Sequence, residues 1–195
     1  MNILRLQNSG RLFFSIANIA EILKIAEGSA RVLASRYVSK GLLTRIKKNV
    51  YTTKNVFIDA EQSELFQLSS ILQTPSYVSF MTALSYYEVT TQVTRSVVEC
   101  VSKVRTAEYD KEGVAFTYRC LKKELFFGFE RKDGFFIAEP EKAFLDCVYL
   151  MSQGTYNLDI ESIDIEKFSK EKLRKYSRKF NKKTRALVLQ INTTK

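Results

Sequence analysis

The chain of 195 residues contains no histidine, the side chain that most often moves protons in enzymes near neutral pH. This absence excludes a Ser/His/Asp triad, a Cys/His pair and an HExxH zinc helix. The three cysteines, Cys100, Cys120 and Cys147, are widely separated and lie among apolar residues, which favours buried thiols over a disulfide or a zinc site. We therefore expect no catalysis, no bound metal and no cofactor.

Proline, glycine and long apolar runs are also scarce. The chain has 2 prolines and 7 glycines, and 45% of its residues are hydrophobic, which together favour a compact, regular fold. No stretch approaches the roughly 20 apolar residues that a membrane span requires, and the N-terminus lacks the apolar run of a signal peptide. We therefore expect a cytoplasmic protein.

Positive charge is concentrated at the two ends of the chain. Residues 1–54 contain 10 Lys+Arg against 2 Asp+Glu, a net charge of +8. Residues 164–195 contain 11 Lys+Arg against 3 Asp+Glu, again a net charge of +8. Residues 55–163, between these ends, contain 10 Lys+Arg against 16 Asp+Glu, a net charge of −6. This separation favours a polyanionic partner for the ends of the chain.

The stretch from Phe13 to Thr53 has the pattern of two short helices, a turn and a basic hairpin. Ser15 suits the N-cap of the first helix, and Gly28 in the turn is expected to take a left-handed backbone. Ser29 is expected to cap the second helix, which Gly41 ends. With a short helix before it, this stretch predicts a winged helix-turn-helix domain over residues 1–54.

The second helix of the pair, over residues 30–40, has an apolar side and a small, basic side. A helix fits the major groove when short side chains meet base edges and flanking cations meet phosphates. The residues predicted to contact DNA are Ser29, Arg31, Val32, Ser35, Arg36, Ser39 and Lys40 on the helix and Arg45, Lys47 and Lys48 on the hairpin. A solvated basic face and a protein-docking platform are the alternatives.

Residues 59–195 are predicted to form an α/β domain with a small, mainly antiparallel sheet. Glu139-Pro140-Glu141 is a strong helix start, and the helix after it is apolar over so wide an arc that we expect burial against the sheet. The other segments with helical or strand patterns are residues 60–72, 80–87, 96–101, 114–121 and 135–138.

The chain ends in a basic segment with a predicted helix over residues 170–180, capped by Ser169, and another over residues 184–191. Its cations are either second DNA or phosphate contacts or a solvated helix surface. The candidates for such contacts are Lys172, Lys175, Arg178, Lys179, Lys182 and Lys183.

Three segments together resemble the AbiEi antitoxins of bacterial type IV, or abortive-infection, toxin–antitoxin systems. They are GSARVLASRYVSKGLLTRIKKNVY, PSYVSFMTALSYYEV and GFFIAEPEKAFLDCVYL, whose order and spacing cover nearly the entire chain. The resemblance implies an N-terminal domain that binds inverted repeats of double-stranded DNA in its own operon promoter and represses transcription. It also implies a C-terminal domain that counters a nucleotidyltransferase-like toxin, functionally if not by direct contact.

The resemblance also implies a set of motif positions in the predicted second domain. They are Ser76, Tyr77, Ser79, Pro140, Glu141, Lys142 and Asp146. A carboxylate in the middle of an apolar helix, such as Asp146, must be paired or exposed. We expect either an ion pair or cap that fixes the helix on the sheet, or a direct role against the toxin.

Two other functions compete with an autorepressing antitoxin. The acidic run Asp159, Glu161, Asp164 and Glu166 could supply metal ligands to a nucleotidyltransferase, but Gly154-Thr155 is a poor substitute for the phosphate-cradling Gly-Ser turn of such enzymes. The other competitor is a winged-helix regulator or protein-interaction module unrelated to a toxin.

Overall fold

The chain has a mixed α+β fold in a computed structural model that describes residues 2–58, 61–92 and 96–194. Its helices α1–α9 span Asn2–Gln7, Ile16–Leu23, Glu27–Ser39, Asn55–Ile58, Gln62–Leu72, Phe80–Tyr86, Pro140–Ser152, Lys170–Ser177 and Lys182–Thr194. Its strands β1–β8 span Leu43–Lys47, Val50–Thr53, Ser76–Val78, Val97–Ser102, Ala107–Lys111, Val114–Cys120, Phe129–Lys132 and Phe135–Ala138. No helix within the described residues is long and apolar enough to cross a membrane.

Helices α1–α3 and the antiparallel β1–β2 hairpin pack around a hydrophobic cluster that lies between Leu6 and Tyr51 in the sequence. The predicted start of α2 is confirmed, because the Ser15 side chain accepts a hydrogen bond from the Asn18 amide at 3.1 Å. The Asn18 side chain in turn accepts one from the Ser15 amide at 3.0 Å, which completes a capping box. Ile16, Ile19, Ala20 and Leu23 recur at helical spacing and are buried on one face of α2.

The turn between α2 and α3 corrects two predictions. Lys24, with φ of 55°, takes the left-handed conformation that was assigned to Gly28. Helix α2 ends at Leu23, and the chain becomes helical again at Glu27, with Ala26 as N-cap. Ser29 therefore lies inside α3 and does not cap it. The predicted stop at Gly41 is confirmed by its φ of 66°.

The large sheet has six strands in the order β5-β6-β4-β3-β8-β7. It is mixed, because β4 pairs parallel with β6 and β3 pairs parallel with β8, whereas the other three pairings are antiparallel. The sequence predicted a smaller sheet because three strands were missed: β3, which has three residues, and the two edge strands β5 and β7, which are rich in charged residues. Cys100 and Cys147 are buried, but Cys120, at the end of β6, is exposed, contrary to prediction.

Helix α7 forms the centre of the larger hydrophobic cluster. Eleven of its 13 residues are buried, as its wide apolar arc predicted, and helices α6, α8 and α9 pack against it in addition to β8. The start at Glu139-Pro140 is confirmed, with Glu139 as N-cap. Downstream, Ser169 caps α8 as predicted, accepting from the Lys172 amide at 3.3 Å.

The β1–β2 hairpin also contacts the later part of the chain. The Thr44 hydroxyl donates a hydrogen bond to Glu112 Oε1 at 2.7 Å, and Lys54 forms a salt bridge with Glu112 at 3.4 Å. Ile46 packs in the larger cluster rather than in the smaller one. The predicted start of the second domain, residue 59, lies outside the described residues, and the division of the chain into two domains stays a prediction.

Candidate functional site

The outward face of α3 contains seven of the residues that the sequence predicted to contact DNA. Buried Ala30 and Ala34 hold the opposite face of the helix against the small core. The exposed residues are Ser29, Arg31, Val32, Ser35, Arg36 and Ser39, together with Lys40 at the C-cap. The Ser39 hydroxyl donates to the Ser35 carbonyl at 3.1 Å, which leaves its oxygen as an acceptor for an outside donor.

The hairpin next to this face exposes Arg45, Lys47 and Lys48. Asn49 closes the turn with φ of 62°, a left-handed conformation that asparagine tolerates better than most residues. Lys47 is not free to reach a phosphate in this arrangement, because its ammonium donates to the Ile71 carbonyl at the end of α5, at 2.8 Å. Sequence reasoning missed this contact, which joins residues 24 positions apart.

A buried polar network lies at the contact of α7 with β3. Lys142 and Asp146, one turn apart on α7, have fully buried side chains that form an ion pair. The Lys142 ammonium also donates to the Tyr77 hydroxyl at 2.8 Å. Asp146 Oδ2 accepts from the hydroxyls of Tyr77 and Ser79 at 3.1 and 2.8 Å. Each side chain of the network is therefore hydrogen-bonded, as buried polar groups must be.

Burial controls the electrostatics of this network. It lowers the pKa of Lys142 and raises the pKa of Asp146, and the opposite charge of each partner counteracts the shift. Burial also raises the pKa of Tyr77 well above its ordinary value, so the phenol keeps its proton. The geometry corresponds to the first expectation for Asp146, an ion pair that joins helix and sheet, because no partner can reach a fully buried carboxylate.

Gly128 is a part of the network's surroundings that sequence reasoning missed. It has φ of +69°, and a Cβ added there would lie 3.1 to 3.3 Å from three carbons of the Lys142 side chain. The aliphatic stem of Lys142 therefore packs directly on the Gly128 backbone. The neighbouring ring of Phe127 faces the Lys142 ammonium at 5.1 Å from the ring centroid. A glycine in the run FFGFE carries no signal of this role.

Two further motif residues, Ser76 and Glu141, form hydrogen bonds with backbone groups at the ends of α5 and α8. The Ser76 hydroxyl donates to the Gln73 carbonyl at 2.5 Å. Glu141 Oε1 accepts from the Ser169 amide at 2.7 Å, whereas Glu141 Oε2 is buried with no hydrogen-bond partner among the residues that the structure describes. Six of the seven motif positions are thus buried, Pro140 being half-buried, and they lie near the α7–β3 contact or at its ends.

A second polar cluster, around Glu99 on β4, was not foreseen. Glu99 Oε2 accepts from the Met81 amide at 3.1 Å and so caps α6, because the Ser79 hydroxyl at the N-cap is directed to Asp146 instead. The Tyr156 hydroxyl donates to Glu99 at 3.0 Å. Burial raises the pKa of Glu99, and these hydrogen bonds partly oppose the effect.

Some cations of the basic C-terminal segment make contacts within the protein, and others are exposed. Lys172 forms a salt bridge with Glu139 at 3.0 Å, and the Lys179 ammonium lies 4.0 Å from the centroid of the Phe127 ring. These two cations are therefore engaged within the protein. The other candidates for a second phosphate contact, Lys175, Arg178, Lys182 and Lys183, are exposed.

The acidic run does not assemble into a metal centre. Asp159 accepts from the Gln92 side chain at 2.9 Å, and Asp164 caps a short 3-10 turn over Ile165–Lys167. Glu161 and Glu166 are exposed. Among the described residues, no group of three or more His, Cys, Asp or Glu side chains is arranged to hold a metal ion.

The chain matches no protein-family model and no curated protein sequence. Functional assignment therefore depends on the exposed basic face of α3, the buried network of α7 and the motif resemblance.

Proposed function

We propose that this protein is a DNA-binding autorepressor and the antitoxin of a type IV, AbiE-type toxin–antitoxin system. In this proposal residues 1–54 form a winged helix-turn-helix domain that binds inverted repeats in its own promoter, and residues 59–195 form an α/β antitoxin domain. The observation that carries the DNA-binding part is the exposed face of α3, where short side chains lie between Arg31 and Arg36.

The chemistry of that face suits a duplex better than a protein surface. Ser29 and Ser35 are short enough for the helix to approach base edges, and a serine hydroxyl can donate to or accept from a base. Arg31, Arg36 and Arg45 are exposed cations that release counterions when they neutralise phosphates.

The antitoxin part rests on the motif resemblance and on the clustering of its residues. Because Tyr77, Ser79, Lys142 and Asp146 are buried together, their role in this proposal is to hold α7 on the sheet. Any contact with a nucleotidyltransferase-like toxin must then come from exposed residues. A toxin countered without direct contact is equally compatible with this arrangement.

The DNA-binding proposal is tested by a gel-shift titration of the full chain against the DNA upstream of its own gene. An unrelated fragment of equal length serves as competitor, and the titration is repeated at two salt concentrations. We expect preferential binding that weakens at higher salt and on Arg36→Ala, with Lys123→Ala, an exposed cation outside α3 and the hairpin, as the matched control. Equal binding to both fragments would contradict the proposal.

The antitoxin proposal has a separate test. The full chain is expressed with the nucleotidyltransferase-like protein of the same operon, and growth is compared with that of cells expressing the latter alone. Restored growth by the wild type and by Arg36→Ala would separate antitoxin activity from DNA binding. Growth arrest that persists with soluble, folded protein would reject the antitoxin part.

The contacts of the hairpin favour one alternative, a protein-interaction module without a DNA target. Lys47 and Thr44 hold the hairpin against the later part of the chain, as a packing element would be held. In that case binding to the upstream DNA would show neither salt dependence nor preference over the unrelated fragment.

A further inference from the structure

Val32 is the large apolar side chain that α3 leaves exposed, with 52% of its surface accessible. Its neighbours one turn away on the helix surface are Gly28, Ser29, Ser35 and Arg36, all exposed. Three of these four are small, so the two methyl groups of Val32 project above the face around them. A groove of about 430 Å³ at the N-terminal half of α3 is lined by Val32 together with Gly28 and Ser29.

The position of Val32 selects one kind of contact. If α3 enters the major groove, Val32 meets base edges at the centre of the face, while the arginines at its margins meet phosphates. A valine can neither donate nor accept a hydrogen bond. The apolar group that the major groove offers is the C5-methyl group of thymine, which cytosine, guanine and adenine lack.

We infer that Val32 is a specificity-determining residue that contacts the C5-methyl group of a thymine in the operator. The inference rests on the proposed function, and it adds the base that this site selects. Serine hydroxyls pair with several bases, so Ser29 and Ser35 alone would discriminate weakly. The methyl contact supplies a preference for an A·T pair in one orientation, because only the strand carrying thymine presents the methyl group to Val32.

The expected size of the effect follows from burial of one methyl group. Removing a methyl from such a contact costs about 0.8 kcal/mol, which is about a four-fold loss of affinity for each contacted thymine. The same loss is expected whether the methyl groups are removed from the protein or from the DNA. Removal from both should cost little more than removal from one, because the contact is already lost.

The test uses the full chain and the DNA upstream of its gene, amplified either with dTTP or with dUTP. Uracil pairs as thymine does but lacks the C5-methyl group, so the two duplexes share one sequence. Fluorescence anisotropy titrations compare wild type, Val32→Ala and Leu189→Ala, the last removing another exposed apolar side chain, from α9. Thermal melting of each variant verifies that it is folded.

We expect the wild type and Leu189→Ala to bind uracil DNA more weakly than thymine DNA, by about four-fold for each contacted thymine. Val32→Ala should bind both duplexes equally, at the weaker level. The inference is overturned if Val32→Ala remains as sensitive to uracil as the wild type, or if the wild type is insensitive. If no form of the upstream DNA is preferred over an unrelated fragment, the proposed function fails, and this inference fails with it.

Discussion

Helices α3 and α7 are both 13 residues long, yet they use charged side chains in opposite ways. Only two residues of α3 are buried, both alanines, and its charges Glu27, Arg31 and Arg36 are exposed. Eleven residues of α7 are buried, and they include charged Glu141, Lys142 and Asp146. Charge on α3 is available to a partner, whereas charge on α7 holds the protein together.

The difference follows from where each helix packs. Helix α3 contacts the rest of the molecule mainly through α2 and β1, so one side remains open to solvent. Helix α7 contacts α6, α8, α9 and β8, so none of its faces is left for solvent. A buried charge is tolerated only with a partner and hydrogen bonds, which β3 and the residue after it supply through Tyr77 and Ser79.

The largest expected effect comes from breaking the ion pair in α7. Asp146→Ala leaves the Lys142 ammonium buried without its counter-charge, which should lower the free energy of unfolding by about 3–5 kcal/mol. Urea denaturation of the full chain measures the loss. Glu27→Ala, which removes an exposed carboxylate from α3, is the control and should change stability by less than about 1 kcal/mol. Similar losses for the two variants would contradict the contrast between the helices.

A second variant tests the close packing against Lys142. Gly128→Ala should cost about 1–2 kcal/mol for the left-handed backbone and about 1–3 kcal/mol more for crowding the lysine stem. Gly154→Ala is the matched control, since Gly154 has φ of +73° but nothing within 4 Å of an added Cβ. Equal destabilisation of the two variants, measured by urea denaturation, would show that the lysine stem is not packed on Gly128.

The half-buried carboxylate of Glu99 should make stability depend on pH. Because burial raises its pKa above the ordinary 4.5, the folded chain holds this proton more tightly than the unfolded chain. Its contribution to stability is therefore complete below about pH 4.5 and is lost as the pH rises through the raised pKa.

Glu99→Gln should remove this part of the pH dependence, since a single amide oxygen in the place of Oε2 can still accept from both the Met81 amide and the Tyr156 hydroxyl. A tenfold change in proton affinity corresponds to about 1.4 kcal/mol. Thermal melting of wild type and variant from pH 4 to 8 measures the difference. Parallel curves for the two proteins would rule out a raised pKa at Glu99.

The smallest effect separates two neighbouring lysines of the hairpin. Lys48→Ala should weaken binding to all DNA and reduce the slope of log affinity against log salt by about 0.9. Lys47→Ala should change the slope less, because the Lys47 ammonium already donates to the Ile71 carbonyl. Equal changes in slope would mean that Lys47 leaves α5 when DNA binds.

Local patterns predicted the parts of the fold that local chemistry controls. Ser15 and Ser169 were identified as caps because a short hydroxyl satisfies an orphan amide wherever a helix starts. The burial of α7 followed from its apolar arc. The left-handed backbone conformation was predicted for Gly28 but is found at Lys24. Residue type alone does not show which residue of a turn takes a positive φ.

For the candidate site residues too, properties set by local sequence were predictable, and contacts between distant residues were not. Their exposure on α3 was predictable from a period of 3.6 residues, whereas the contacts of Lys47 and Lys172 were not. Those contacts join Lys47 to Ile71 and Lys172 to Glu139, residues that only the packed chain brings together. Gly128 and Glu99 were missed for the same reason, since their partners are distant in sequence.

The sequence by itself determined most of the helices, the caps at Ser15 and Ser169 and the two basic ends of the chain, because these depend on neighbours within a few residues. The tertiary structure decided which charges are available. It buried Lys142 with Asp146, engaged Lys47 and Lys172, and left Arg31, Arg36 and Val32 exposed. Whether a charge faces solvent or a partner depends on what packs over it, and that is a property of the whole fold.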